Sequence, residues 1–503
     1  MKISINRDEG TPIYRQIVRQ IREMILASQV PAGFRLPPER RLADALGVTR
    51  ATVVTAYDEL KSEGLIDARV GRGTVVLSAK NPDPSVDGLR QLSWSHHFRD
   101  EGARQPDPLV RNLLEMSMRP GVISLAVGLP SPQYVPAQLF QQLIQRVMEE
   151  GGAHALLQTP TEGHPPLREA MARWLTTRGM HCSPDEVMVL SGSQQGLQLT
   201  ARVLLSPGDT VIVEAPTYFG AMEAFRKAGA RMVSVPVDDG GMQVDVLSAL
   251  LRHHRPKLIY TLPTFQNPSG VVMSLERRRQ LLALAAGYGI PILEEDTYAE
   301  LRYDGALVPS LKAMDATGVV LNLGTFSKIL FPGLRLGWMV APRQVIRRLA
   351  LSKQTEDLHS STFGQWAMER MITEGHLESH LNGLRKVYRR QRDVMGNALD
   401  ASRIDGMRWD VPLGGYYFWC ELPRAVDRAR LSAMAAELAV NFLPGYPCFV
   451  DEPSSHWVRL NFTFPAPPEI EEGVSRFLRA VKGAIAPRQQ GWDRRQAGTR
   501  PIV

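Results

Sequence analysis

Isoleucine recurs at every fourth position near the start of the chain, from Ile13 to Ile25. Residues four apart lie on one face of an α-helix, so this spacing predicts an amphipathic helix with one buried stripe. Thr11 and Pro12 stand before it as an N-cap and a proline at the first helical position. The pattern predicts the first helix of a small domain.

Two shorter helices follow, with a glycine between them. Pro37-Pro38-Glu39 opens the second helix, which runs through Leu46, and Gly47-Val48 makes a tight turn. Thr49 caps a third helix that ends near Gly64. Two short helices joined by a short turn that contains glycine are typical of a helix-turn-helix.

Alternating apolar residues at 65–70 and 74–77 flank the sequence Gly71-Arg72-Gly73. Alternation has the period of a β-strand, and a glycine-rich connection suits a hairpin, so we expect a two-stranded wing. Residues 1–78 therefore predict a winged helix-turn-helix, an α+β domain that binds double-stranded operator DNA.

In such a domain the first turn of the third helix meets base edges, while other basic and hydroxyl groups contact phosphates. The candidates for base reading are Thr49, Arg50 and Thr52. The candidates for phosphate or minor-groove contacts are Arg35, Arg40 and Arg72. Each arginine alone is equally compatible with a solvated surface charge, and the whole pattern of residues 1–78 favours DNA.

The pattern changes after a linker at 79–118, where Pro-containing polar sequence shows no sustained period. In residues 119–485, short apolar runs alternate with amphipathic helical stretches. This alternation predicts an α/β domain with a mostly parallel sheet covered on both faces, and a ligand site at the strand ends. Residues 486–503 contain four arginines and one acidic residue and predict a basic, disordered tail.

Composition is consistent with a multidomain globular protein. The 503 residues exceed what one core supports, and 44% are hydrophobic and 22% charged. The net charge of +7 is compatible with a polyanionic partner without demonstrating one. Three scattered cysteines argue against a disulfide framework and against a zinc site, and no metal is expected. Without a signal peptide or an apolar span, we expect a cytoplasmic protein and no membrane partner.

Several polar residues follow the apolar runs of the second domain and together suit pyridoxal 5′-phosphate (PLP). This cofactor needs a lysine for an imine, a carboxylate for the pyridine nitrogen and donors for the phosphate. Lys328 and Asp296 each follow an apolar strand and match the first two needs. Ser193 and Gln194 lie between a strand and a helix, where backbone N–H groups hold anions.

Further residues of the same region complete the predicted site. Thr325, Ser327 and Arg335 add hydroxyls and a guanidinium for the phosphate. Asn267 and Tyr298 are expected to bind the phenolic oxygen, and Tyr218 to lie against the ring. One lysine after a serine is almost no evidence, and Asp-x-Tyr alone is more often structural. The order of all these elements at strand ends carries the prediction.

The first domain resembles the winged helix-turn-helix of the GntR superfamily. The motifs that carry the resemblance lie at 12–14, 36–43, 46–53 and 63–66. One departure is Val54, where many members of the superfamily have an arginine that contacts DNA. The resemblance implies one polar DNA contact fewer at that position.

Residues 120–485 resemble the class I aminotransferases of fold type I, which have a large PLP-binding domain and a smaller C-terminal subdomain. Further motifs lie at 128–130, 163–168, 413–419 and 458–462. The resemblance implies that Arg459 binds the carboxylate of an amino-acid ligand, a role that suits a bidentate guanidinium. Gln158 is a departure, because relatives usually have a tyrosine there that reaches the cofactor phosphate of the partner subunit.

The combination of both domains resembles the transcription regulators of the MocR/GabR type. The resemblance implies a homodimer that binds operator DNA and senses an amine, an amino acid or a vitamin B6 form through an aldimine at Lys328. Two alternatives stay open. Because Asp296, Lys328, Arg335 and Arg459 are retained, the chain is also compatible with a working aminotransferase that carries an added DNA-binding module. The first domain is also compatible with a dimerisation or interaction module that does not bind DNA.

Overall fold

The computed structural model describes residues 3–7, 11–27, 29–69, 73–77, 109–451 and 456–485. Its chain divides into two compact units, Met1–Asp100 and Glu101–Val503, and each is described by itself. Arg72, most of the predicted linker and the predicted basic tail lie outside the described residues. The end of the predicted linker at 79–118 was assigned wrongly, because residues Leu109–Ser117 form a helix.

The described part of the first unit contains three helices and a hairpin. Its elements are α1 (Ile13–Leu26), α2 (Glu39–Leu46), α3 (Arg50–Ser62), β1 (Ile66–Arg69) and β2 (Gly73–Val76). The two strands pair antiparallel, with Ile66 opposite Val76. The apolar stripe of α1 packs with Val53 and Leu60 of α3 in one buried cluster, which confirms the predicted winged helix-turn-helix.

Individual capping residues determine where these helices begin and end. Gly47 takes a left-handed conformation with φ of +64°, which only glycine adopts without strain, and it ends α2. Thr49 caps α3, because its hydroxyl accepts a hydrogen bond of 3.3 Å from the backbone N–H of Thr52. Helix α1 begins one residue later than predicted, because Pro12 takes the N-cap position that we expected for Thr11.

The second unit alternates strands and helices. Its helices are α4 (Leu109–Ser117), α5 (Ala137–Gly151), α6 (Pro165–Thr176), α7 (Ser193–Leu204), α8 (Phe219–Lys227), α9 (Val244–His253), α10 (Leu275–Tyr288), α11 (Leu311–Met314), α12 (Arg343–Gln354), α13 (Thr362–Thr373), α14 (His376–Ala401), α15 (Arg428–Glu437) and α16 (Pro467–Ala484). Its strands are β3 (Ile123–Ser124), β4 (Val187–Leu190), β5 (Thr210–Ala215), β6 (Arg231–Asp238), β7 (Gly241–Met242), β8 (Leu258–Thr261), β9 (Ile292–Glu295), β10 (Val320–Thr325), β11 (Gly337–Val340), β12 (Arg408–Trp409), β13 (Tyr417–Glu421), β14 (Val440–Asn441), β15 (Leu443–Pro444) and β16 (Trp457–Asn461).

Eight of these strands form one mixed sheet in the order β4-β11-β10-β9-β8-β5-β6-β7. The central strands β10, β9, β8, β5 and β6 are parallel, while β11 and β7 run against their neighbours. Strands β8, β9 and β10 are buried along their whole length, as in a sheet with helices on both faces. The predicted α/β domain is confirmed.

A smaller antiparallel sheet, β12-β13-β16-β15, forms the predicted C-terminal subdomain together with α14, α15 and α16. The parallel strands of the large sheet all end at the same edge. The segments that follow β9 and β10 at this edge contain Tyr298 and Lys328. This edge is where an α/β sheet places its ligand. None of the described helices is long and apolar enough to cross a membrane.

Candidate cofactor site and DNA-binding face

A cavity of about 320 Å³ lies at the carboxyl ends of the strands and has Lys328 in its wall. It brings together all the predicted cofactor and ligand residues of the second domain except Asp296. These residues are Ser193, Gln194, Tyr218, Asn267, Tyr298, Thr325, Ser327, Lys328, Arg335 and Arg459. Residues far apart in sequence thus share one site that is large enough for a small molecule.

The Lys328 side chain is held inside this cavity. Its Nζ donates a hydrogen bond of 2.7 Å to the backbone oxygen of Gly128, and its own backbone oxygen accepts one of 2.5 Å from Tyr416. Burial, followed by the positive charge of Arg459, lowers the pKa of Lys328 to about 8. A larger fraction of the amine is therefore unprotonated near neutral pH, and the free amine is the form that attacks a carbonyl group.

One end of the cavity is built for an anion. Ser193 is the first residue of α7, where the backbone N–H groups of a helix point outward. Gly192 before it has φ of +96°, and a Cβ at this position would lie 2.7 Å from the Arg335 guanidinium. Arg335 donates a hydrogen bond of 2.9 Å to the backbone oxygen of Ser191. Backbone and guanidinium approach each other closely here because residue 192 has no side chain.

An ion pair that the sequence analysis did not predict supports the loop at Ser191 and Gly192 on the side away from the cavity. Lys353 is fully buried and its Nζ lies 2.6 Å from Asp357. The other oxygen of Asp357 accepts hydrogen bonds from the Ser191 hydroxyl at 2.9 Å and from Gln195 at 2.8 Å. The spacing of four residues was visible in the sequence, but it is equally typical of a solvated surface pair.

The acidic residue of this cavity is Glu295, and this corrects the assignment of Asp296. Glu295 lines the cavity with Lys328, whereas Asp296 lines a different cavity. The reason is the alternation of a strand, because successive side chains point to opposite sides. Asp296 still pairs with β10 through its backbone N–H, 2.8 Å from the oxygen of Leu323, so the alternation continues through it.

Glu295 is held firmly in place. Its two carboxylate oxygens accept hydrogen bonds from the hydroxyls of Tyr260 at 2.5 Å and Thr297 at 2.9 Å. Burial raises the pKa of Glu295, and these hydrogen bonds and the charge of Lys328 act in the opposite direction. Each carboxylate oxygen retains a second lone pair for a ligand. Three consecutive acidic residues at 294–296 signalled an acid here, but not which one faces the site.

Arg459 forms the opposite wall of the cavity. Its Nη1 donates a hydrogen bond of 2.8 Å to Asn267, its Nη2 one of 3.0 Å to Ala126, and its guanidinium lies 3.9 Å from the ring centre of Tyr417. Its buried Nε has no hydrogen-bond partner among the described residues. Tyr298 is close by, with its hydroxyl 2.9 Å from that of Tyr417. A carboxylate placed here would meet a preformed guanidinium.

These features fit PLP. The cavity offers an amine with a lowered pKa at Lys328, an anion loop at Gly192 and Arg335 that a Cβ would obstruct, and a carboxylate at Glu295. When bound, PLP supplies an aldehyde that condenses reversibly with primary amines and a pyridine ring that withdraws electrons. Ser193, Thr325, Ser327 and Arg335 would hold its phosphate.

In the first unit, the predicted base readers lie together at the start of α3. Arg50 has 69% of its side chain exposed and forms an ion pair of 3.1 Å with Glu39. The hydroxyls of Thr49 and Thr52 lie 2.8 Å apart. Arg35 and Arg40, the predicted phosphate contacts, are exposed. The described part of this unit therefore presents hydroxyls and guanidinium groups at the helix that a helix-turn-helix inserts into DNA.

Comparison with known proteins agrees with this division. Residues 13–76 match the family described as bacterial regulatory proteins, gntR family, and residues 120–477 match aminotransferase class I and II. The chain is 38% identical to aromatic-amino-acid aminotransferase 1 of Thermococcus litoralis, over 78% of this chain and 95% of the relative. It is 30% identical to the probable rhizopine catabolism regulatory protein MocR of Rhizobium meliloti, over 95% of both chains.

Among solved structures, LysN, the α-aminoadipate aminotransferase of Thermus thermophilus, is similar with a TM-score of 0.73 and 36% identity. The match covers 78% of this chain and 99% of that one, and that structure contains N-(5′-phosphopyridoxyl)-L-leucine. The second unit is thus a fold-type I aminotransferase domain whose cofactor is PLP. Because this domain follows a GntR-type DNA-binding domain, the chain belongs to the MocR-type transcription regulators.

The two neighbouring acids provide a test of the cofactor site. Glu295→Gln should weaken PLP binding about 10- to 100-fold, because a charged hydrogen-bond partner contributes about 1.5 to 3 kcal/mol. It should also change the pH dependence of the visible absorbance of the bound cofactor. Asp296→Asn is the matched control and should change neither. Absorbance titration of the cofactor-free variants measures both, and the reverse order of effects would restore Asp296 as the cofactor acid.

Proposed function

We propose that this regulator senses an amine, an amino acid or a vitamin B6 form by covalent exchange at Lys328. The observation that carries the proposal is the complete lysine cavity in the same chain as a winged helix-turn-helix. A transcription regulator has a use for this cavity only if the molecule bound in the cavity affects gene expression. A ligand changes the outcome only if it binds two states of the protein with different affinity.

The residues of the cavity have distinct tasks in this proposal. Lys328 would hold the cofactor in a form that a ligand amine can displace, and its pKa of about 8 keeps part of the population unprotonated. Glu295 would hold the pyridine nitrogen of the cofactor and favour its protonated form. Arg459 selects ligands that carry an acid group, because its guanidinium is already fixed by Asn267 and Ala126.

For the DNA-binding domain we propose that Arg50, Thr49 and Thr52 read base edges, and that Arg35, Arg40 and Arg72 contact the backbone. The exposed start of α3 supports the first group. Arg50 would exchange its ion pair with Glu39 for a base edge when it enters the major groove.

The proposal includes a homodimer, since two DNA-binding domains bind paired half-sites far better than one. Leu156 and Leu157 support an interface, because they are 62% and 57% exposed and stand next to each other. Gln158 follows them, is exposed and lies outside the lining of the lysine cavity. A partner subunit would cover these leucines. Gln158 would then donate a hydrogen bond to the partner's cofactor phosphate, in place of the tyrosine that aminotransferases usually have at this position.

A second function, transaminase activity, is favoured by a specific observation. Lys328, Glu295 and Arg459 line one cavity, which is the set that a working enzyme requires. Relatives that match the second unit include named aminotransferases. Repeated turnover of an amino donor with a 2-oxo acid distinguishes an enzyme from a sensor that exchanges its ligand without product release.

If Arg50 reads base edges, its replacement should weaken binding to operator DNA more than binding to random DNA. Arg50→Ala should weaken binding to the operator by about 1 to 3 kcal/mol relative to random DNA, because a bidentate base contact distinguishes sequences. Arg347→Ala removes the same charge from an exposed position of α12 in the second unit and is the matched control. Gel-shift titration with both DNAs measures the difference. Equal losses on operator and random DNA would make Arg50 a phosphate contact.

Sensing at Lys328 predicts that operator binding and the response to the ligand can be separated by mutation. Lys328→Ala should keep near-normal operator affinity, because the core of the winged helix-turn-helix is built from residues of the first unit alone. The variant should lose the ligand-dependent change in expression from the target promoter, because it has no amine to exchange. Lys386→Ala, at an exposed position of α14, is the control and should respond like the wild type. A normal response of the Lys328 variant would contradict sensing by covalent exchange.

A further inference from the structure

A second cavity, of about 760 Å³, lies beside the lysine cavity in the same unit. The two cavities share Thr297 and Thr325 in their walls but differ in their charged residues. The second cavity contains Asp296, the acid that the cofactor site does not use. Its volume is in the range of small-molecule sites.

One wall of this cavity is a satisfied ion-pair network. Glu300 lies 2.5 Å from Arg178 and 3.0 Å from Arg385, and Arg178 also contacts Glu378. The Arg178 guanidinium lies 3.9 Å from the ring centre of Trp174. These charges compensate one another, so this wall contributes no unbalanced charge to a ligand.

The other wall contains a carboxylate and a guanidinium, each with buried atoms that have no hydrogen-bond partner within the described part of the chain. Asp296 Oδ1 is buried there without a hydrogen bond, and so are Nε and Nη2 of Arg302. No ion pair within 4.0 Å joins these two side chains among the described residues, although each charge affects the pKa of the other. Buried polar groups without partners cost free energy, and opposite charges in one cavity invite a ligand that satisfies both.

We propose that the second cavity binds a small zwitterion, with its ammonium group at Asp296 and its acid group at Arg302. A cation alone would leave the guanidinium unpaired, and an anion alone would leave the carboxylate unpaired. The planar guanidinium of Arg302, 4.8 Å from the ring centre of Phe265, suits a bidentate carboxylate or sulfonate. This site is separate from Arg459, which serves the lysine cavity.

The shared wall places such a ligand next to residues of the cofactor site. Thr297 donates a hydrogen bond of 2.9 Å to Glu295, and the Thr325 hydroxyl lies 3.1 Å from that of Ser327. A ligand in the second cavity would therefore lie against the residues that hold both ends of the cofactor. This inference goes beyond sensing at Lys328, and it holds whether or not Lys328 is the sensor.

The test uses the full-length protein loaded with PLP and reduced with borohydride, so that Lys328 no longer exchanges its ligand. Calorimetric titrations with glycine, β-alanine, 4-aminobutanoate and 5-aminopentanoate vary the distance between ammonium and carboxylate. They are done at pH 8.5, because burial, together with the negative charge of Glu294, raises the pKa of Asp296 to about 8. At least one compound should bind saturably, with one molecule per chain.

Variants assign the bound compound to a cavity. Arg302→Met and Asp296→Asn should each weaken its binding at least tenfold, whereas Arg459→Met should leave it unchanged. Leu307→Ala, at an exposed apolar position in the wall of the second cavity, is the control and should also bind normally. Unchanged operator affinity and an unchanged thermal unfolding midpoint show that each variant is folded.

Two results would overturn the proposal. The first is the absence of saturable binding by all four compounds. The second is binding that is lost in Arg459→Met and kept in Arg302→Met, which would place the ligand in the lysine cavity. Because the reduced protein cannot exchange its ligand at Lys328, neither result bears on the sensing function proposed above.

Discussion

The burial of one amine, that of Lys328, is the constraint on which the rest of the second unit depends. A charged ammonium group is unfavourable inside a protein, and the positive charges of Arg459 and Arg335 add to this effect. Glu295 opposes it from the other side of the cavity. The balance leaves a pKa of about 8, at which the amine is both stable in its place and available for reaction. In the proposed function, Arg335 would bind the cofactor phosphate and Arg459 the carboxylate of a ligand.

The fold supports this balance with residues that touch no ligand. The ends of the parallel strands bring together segments that are distant in the chain. The Lys353–Asp357 pair fixes the loop at Ser191 in front of α7. Tyr260 performs a similar task for Glu295. The site thus consists of a layer of groups that line the cavity and a layer that positions them.

Much of this arrangement could be predicted from the sequence. The period of the apolar residues indicates both domains, and motif order indicates the lysine, the anion loop and Arg459. The choice between Glu295 and Asp296 could not be made, because a shift of one residue turns a strand side chain to the opposite side. The second cavity was also beyond prediction, since Arg178, Arg302 and Arg385 meet only through tertiary packing. The role of Arg72 remains a prediction, because it lies outside the described residues.

A paired measurement can show whether chemistry at Lys328 controls transcription. The PLP-loaded protein is titrated with a panel of amines, amino acids and vitamin B6 forms. In the same samples, the visible absorbance of the lysine-bound cofactor and transcription from the target promoter are recorded. If covalent exchange at Lys328 is the sensor, the compound that changes transcription also changes the absorbance, with the same midpoint. A transcriptional response with unchanged absorbance would contradict it.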